Sequence, residues 1–236
     1  MIFDPFYWLV IGAGMVLSLG AQWLVKSRFR KYSQLGTRSH MTGADVARAI
    51  LRDNQIHDVK VEPVPGKLSD HYDPRSKTLR LSEPVFGGRS MAAFGVAAHE
   101  VGHAIQDSRG YAPLRFRSAW VPIASTGSNI SFFVIIAAAM MGGAATAMGA
   151  TLAWLGIGLF ATTTLFTLVT LPVEFDASRR ALVSLRGHYV TEDEYDGARK
   201  VLSAAALTYV AAFATSLMTL VYWAMRLGLL GGRSDD

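Results

Sequence analysis

The 236-residue chain contains no cysteine, which excludes disulfides and thiolate metal ligands and agrees with a reducing compartment. It also lacks charge over long stretches. No Asp, Glu, Lys, Arg or His occurs from Pro5 to Val25, from Ser118 to Val173, or from Val201 to Met225. Runs of 21, 56 and 25 uncharged residues, in a chain that is 51% hydrophobic, are too long for a soluble bundle of buried helices. One membrane span takes about 20 apolar residues, so the outer runs supply one helix each and the middle run two. The stretch GGAATAMGA, Gly142 to Ala150, is the natural turn between those two. The start, MIFDPFYW, has an acid and no basic segment ahead of its apolar run, which predicts an uncleaved anchor with its N-terminus outside.

The expected spans are residues 5–25, 119–141, 150–172 and 202–225, leaving 26–117 and 173–200 on one side of the bilayer. That side carries Lys26, Arg28, Arg30, Lys31, Arg115, Arg117, Arg179, Arg180, Arg199 and Lys200 near span ends; the other has Arg226 and Arg233. The Lys/Arg bias predicts that the charged side is cytoplasmic in a multi-pass protein of the cell membrane. The net charge of +5 then reflects topology and attraction to anionic membrane lipid. Nucleic acid is excluded as a partner, because no basic patch interleaved with aromatics lies outside these flanks. No oligomeric state can be read from the sequence.

Residues 26–117 read as a small domain. RKYSQLGTRSH is a linker, and Thr42 or Gly43 caps a helix with Val46, Ala49 and Ile50 on one face. VKVEPVPG alternates like a strand and stops at its prolines. Asp73-Pro74 signals a turn before Thr78–Ser82, predicted as a half-buried strand with its leucines on one face. Lys77–Ser82 is a candidate edge strand for adding an extended peptide, or an ordinary sheet strand. Ser90 to Gln106 is helical in pattern. Further on, LPVEFDASRRALVSL resumes a helix that leaves the membrane at its proline, and Gly187 marks its end. Thr191 and Glu194 form a capping box leading into the last span.

The stretch AAHEVGHAIQ, Ala97 to Gln106, places His99 and His103 one helical turn apart, with Glu100 rotated about 100° from His99. Two imidazoles on one face can hold a single Zn²⁺, while the offset carboxylate can take the proton of a water on that metal. Six histidines and six glutamates would form this pattern by chance about 0.004 times in such a chain. The competing reading, two core histidines, leaves a buried glutamate unpaired at a cost. A catalytic zinc takes a third protein ligand from the same side of the membrane. Glu174 is the first charged residue after a there-and-back passage through the bilayer; it is the candidate ligand, or else only a boundary marker. Asp176 lies on another helical face, whereas Ser178, at i+4 from Glu174, can hydrogen-bond a ligand histidine. His71, Tyr72, His188 and Tyr189 are candidates for an oxyanion-stabilising donor, and each is also an ordinary structural or surface residue.

TGADVARAIL, SDHYDPRSKTLRLSEPVF, GVAAHEVGHAIQ and LPVEFDASRRAL, in this order between these spans, resemble the YugP-like membrane zinc metallopeptidases. The resemblance runs over nearly the whole chain. It implies a membrane-embedded zinc peptidase with His99 and His103 as ligands and Glu100 as general base. More distantly, the chain is similar to HtpX-like and CAAX-processing peptidases, where a Glu-aromatic-x-Ala-Asp segment after a membrane hairpin supplies the third ligand. EFDAS matches at Glu174, Phe175 and Ala177 but has Ser178 in place of the aspartate.

The expected fold is an α-helical membrane protein with four transmembrane helices and a small α+β cytosolic zinc-peptidase domain. The expected activity is endopeptidase cleavage of membrane or membrane-proximal proteins, with Zn²⁺ on His99, His103 and Glu174 and with Glu100 as base. The rival is a membrane scaffold or sensor with a structural metal, for which His71 or His188 would supply a fourth ligand.

Overall fold

In a computed structural model describing residues 4–230, the elements run α1 (Pro5–Ser33), α2 (Gly43–Asp53), β1 (Lys60–Val64), β2 (His71–Asp73), β3 (Thr78–Ser82), α3 (Glu83–Phe86), α4 (Met91–Ser108), α5 (Ala112–Met140), a 3-10 turn (Gly143–Ala145), α6 (Ala147–Leu185) and α7 (Glu192–Arg226). Helices α1, α5, α6 and α7 are long and apolar enough to cross a membrane, and only 11–28% of each most apolar window is buried within the protein. Side chains such as Leu19, Phe133 and Trp154 thus need an apolar surrounding, which lipid provides. At 39 residues α6 spans about 58 Å, against a hydrocarbon core of about 30 Å, so one end must project. Contrary to the sequence reading, no helix restarts at Pro172: α6 passes through it unbroken. A proline removes one backbone bond, and the bonds on either side carry the helix on.

The chain forms two compact units. One takes in the chain up to Gly20, Phe116–Thr170 and the chain from Tyr209. Val10, Ile135, Ala138, Ala153, Tyr222 and Trp223 form its apolar centre. Polar groups there pair locally, as when Trp120 Nε1 donates to the Thr162 carbonyl at 3.1 Å and the Thr164 and Ser216 hydroxyls meet at 2.8 Å, while the buried Thr215 hydroxyl has no hydrogen-bond partner among the described residues. Gly142 and Gly143, with φ of +91° and +57°, make the predicted turn between α5 and α6.

The second unit comprises Ala21–Arg115 and Leu171–Thr208. Its core joins Val46 and Ile50 of α2, Leu79 and Leu81 of β3, Phe94, Val101 and Ile105 of α4, and Ala181 and Leu185 of α6. Thr42 caps α2 in a reciprocal box with Asp45. The Thr191–Glu194 box opens α7, and the buried Glu194 also accepts the Arg38 backbone N–H at 2.6 Å.

The sheet has the order β1-β3-β2, with β1 parallel and β2 antiparallel to β3. This corrects the reading of Lys77–Ser82 as an edge strand: β3 is central, and both edges belong to β1 and β2. Central placement also buries Thr78 and Ser82 beside the leucines, so β3 is not half-buried with a polar face. Ser82 meets its polar needs through Asp70, which accepts from its backbone N–H at 2.7 Å. Pro63 falls in β1, where an edge tolerates its missing N–H.

Helix α4 meets α6 at close range at Gly102. A Cβ there would stand 3.1 Å from Ala177 Cα and closer still to the Ala177 carbonyl oxygen. Only a residue without a side chain lets the two backbones meet. Gly102→Ala is expected to lower unfolding stability in detergent by about 1–3 kcal/mol. Gly12→Ala, where no atom lies within 4 Å of the added Cβ, is expected to cause no loss. Thermal denaturation of the two variants checks this.

Candidate metal centre

The close approach at Gly102 brings Glu174 of α6 against the histidine pair of α4. The His99 and His103 rings lie 4.8 Å apart between centroids, nearly perpendicular to each other. Glu174 Oε2 lies 3.2 Å from His99 Nε2 and 3.6 Å from His103 Nε2. Glu174 is 2% exposed, and all three ligand atoms lie within 4.8 Å of one another. His99, His103 and Glu174, which the sequence reading proposed as a set, are therefore brought together.

The far ring nitrogens are held as well. Ser178 Oγ lies 3.1 Å from His99 Nδ1, matching the contact expected from its i+4 position. His103 Nδ1 lies 3.0 Å from Gln106 Oε1. The orientation of that amide follows from its other neighbours. Gln106 Nε2 donates to the Val173 carbonyl at 2.8 Å and to Asp176 Oδ2 at 2.9 Å, both of which can only accept. The amide oxygen therefore faces His103, Nδ1 carries the proton, and the Nε2 lone pair points to Glu174. Asp176 is held in turn by Arg179 and Arg180.

Gln106, fully buried, was not singled out in the sequence, although an i+3 glutamine on an apolar helix is a visible signal. Asp176 does not touch either imidazole; it reaches His103 through Gln106. Among the weaker candidates, three side chains are engaged elsewhere. The Tyr72 hydroxyl donates to Asp107 at 2.8 Å, and the Tyr189 hydroxyl donates to Asp53. His71 Nδ1 contacts the Ser69 carbonyl at 2.8 Å. Neither His71 nor His188 joins the donor group among the described residues.

Glu100 is buried and is not among the three donors. Burial pushes its carboxyl up to about 7; His99 opposes the rise, the charges of Glu174 and Asp70 add to it, and the Tyr72 backbone N–H opposes it. Such a group exchanges protons near neutrality.

Two imidazole nitrogens and a carboxylate oxygen fit zinc in kind. The two separations between Glu174 and the imidazoles, 3.2 and 3.6 Å, are also close to the about 3.3 Å between two ligands at about 2.0–2.1 Å from a tetrahedral ion. Without a cation, an imidazole lone pair facing a carboxylate inside the protein is unfavourable.

Residues 7–228 match the family model described as "Putative neutral zinc metallopeptidase". The chain belongs to this zinc metallopeptidase family. It is 44% identical over 232 residues to the Bacillus subtilis (strain 168) protein named "Putative membrane protease YugP", an alignment covering 98% of this chain and 99% of that one. No solved structure matches the chain. The YugP-like resemblance seen in the motifs thus holds over almost the full length, and family membership agrees with a zinc-binding donor group at His99, His103 and Glu174.

Gln106→Leu should leave the His103 Nδ1–H, the Val173 carbonyl and the Asp176 carboxylate each short of a partner. The expected loss of stability in the metal-free protein is about 1–3 kcal/mol, measured by denaturation with chelator present.

Proposed function

We propose that the protein is a membrane-bound zinc-dependent endopeptidase that hydrolyses peptide bonds of membrane or membrane-proximal proteins. The observation that carries this reading is the convergence of His99, His103 and Glu174 beside a buried carboxyl, Glu100, that is not among the metal donors. His99, His103 and Glu174 hold the ion. Zinc supplies Lewis acidity, polarising the scissile carbonyl and acidifying a water molecule. Gln106 and Ser178 fix the two imidazole rings, so that their Nε2 atoms stay aimed at one point.

Glu100 performs the proton transfers. Its carboxylate oxygen takes a proton as the water oxygen attacks the carbonyl carbon. The same oxygen returns that proton to the amide nitrogen as the C–N bond breaks, leaving a carboxylic acid and an amine. With β3 central, an extended substrate would have to add to an outer strand. We assign that role to β2, since its Tyr72 backbone N–H already acts on Glu100. The Lys/Arg bias supports a cytoplasmic location for this chemistry, with the second unit as the cytosolic domain. A structural-metal scaffold would need a fourth protein ligand, and neither histidine considered for that role lies in the donor group.

Purified protein supplied with zinc is expected to cleave peptides from a library. Glu100→Gln should retain one zinc per chain and lose activity by at least about 10²-fold, whereas Glu174→Ala should lose the metal. Cleavage by Glu100→Gln at the parental rate would overturn the mechanism. Gln106→Leu should weaken zinc affinity by about 10–100-fold, read by competition with a chelating dye.

A further inference from the structure

Outside the metal centre, the second unit contains an open groove of about 440 Å³ between α1 and α7. Its lining includes the cations Arg28, Arg199 and Lys200 and the apolar residues Leu24, Ala204 and Leu207. The sequence grades this lining from charged to apolar. Leu24 belongs to the first uncharged run, and Arg28 follows just after it. Arg199 and Lys200 immediately precede the last uncharged run, to which Ala204 and Leu207 belong. The helices are packed side by side here, since a Cβ on Gly197 would stand 3.0 Å from the Tyr32 ring. Along α1, Leu24 and Arg28 lie one turn apart on one face, and along α7 so do Lys200 and Ala204. Cations therefore meet cations, and apolar residues meet apolar residues, across the groove.

The cations are not neutralised internally. Among the described residues no carboxylate oxygen lies within 4.0 Å of Arg28, Arg199 or Lys200. Asp196 is the one acid in the lining, which leaves the groove a net positive charge. Three cations sharing one groove with a single acid repel one another, and a bound anion relieves that repulsion.

We propose that this groove binds one anionic glycerophospholipid, with the phosphate on Arg28, Arg199 and Lys200 and the acyl chains along Leu24, Ala204 and Leu207. A free phosphate would use only the cationic part. The apolar part continues into the uncharged faces of two membrane-length helices, where acyl chains are the expected neighbours. The site is independent of zinc and of cleavage.

Native mass spectrometry of the detergent-solubilised full chain tests this, with phosphatidylglycerol and phosphatidylcholine of the same acyl composition as probes. The parent should retain phosphatidylglycerol over phosphatidylcholine by about tenfold, and the triple variant Arg28→Gln/Arg199→Gln/Lys200→Gln should lose the preference. Asp196→Asn, which removes the opposing charge, should raise it, a gain that misfolding cannot produce. Equal retention of the two lipids by the parent, a preference unchanged in the triple variant, or a fall in Asp196→Asn would each overturn the site. Displacement of the lipid by an equal concentration of inorganic phosphate would overturn its assignment to lipid. A co-purifying polypeptide released by the triple variant would do the same.

Discussion

The closeness of two backbones at Gly102 and Ala177 is the constraint on which the candidate metal centre depends. The histidines sit one turn apart on α4 because a helix repeats every 3.6 residues, but that spacing alone gives two donors. The third comes from α6, some 70 residues later in the chain, and a glutamate side chain is short. It reaches both Nε2 atoms only because no side chain separates α4 from α6 at this level. Local geometry thus supplies the pair, and tertiary packing completes the set.

Burying so much polarity is costly unless every group is satisfied. Here satisfaction is arranged in series: His103 donates to Gln106, Gln106 to Asp176 and the Val173 carbonyl, and Arg179 and Arg180 to Asp176. The chain begins in the interior and ends at Arg179, which is largely solvent-exposed. The substitution of Ser178 for aspartate in EFDAS fits this arrangement, because Ser178 serves His99 while Asp176 serves His103 indirectly.

What could be read from the sequence was what is local or fixed by the membrane. The His99–Glu100–His103 spacing, the Thr42 and Thr191 caps, the glycine turn at Gly142–Gly143 and the i+4 relation of Ser178 to Glu174 all follow from short-range periodicity. The proximity of Glu174 followed from counting passages through a bilayer, which is a global argument but a discrete one. Strand order is neither local nor discrete in that sense. Nothing in Thr78–Ser82 tells that two neighbours flank it, so its central position went unread. Gln106 escaped because its meaning resides in partners from α6. Pro172 misled because a proline weakens one bond, and a long helix absorbs that loss.

Helix α6 carries Glu174 on an uninterrupted backbone, so the carboxylate cannot be adjusted independently of the turns before it. A slip of one residue along α4 would carry Glu174 about 1.5 Å axially and about 100° around the helix, out of reach of both imidazoles. An ion held by these three side chains would therefore report how the two rods are seated against each other.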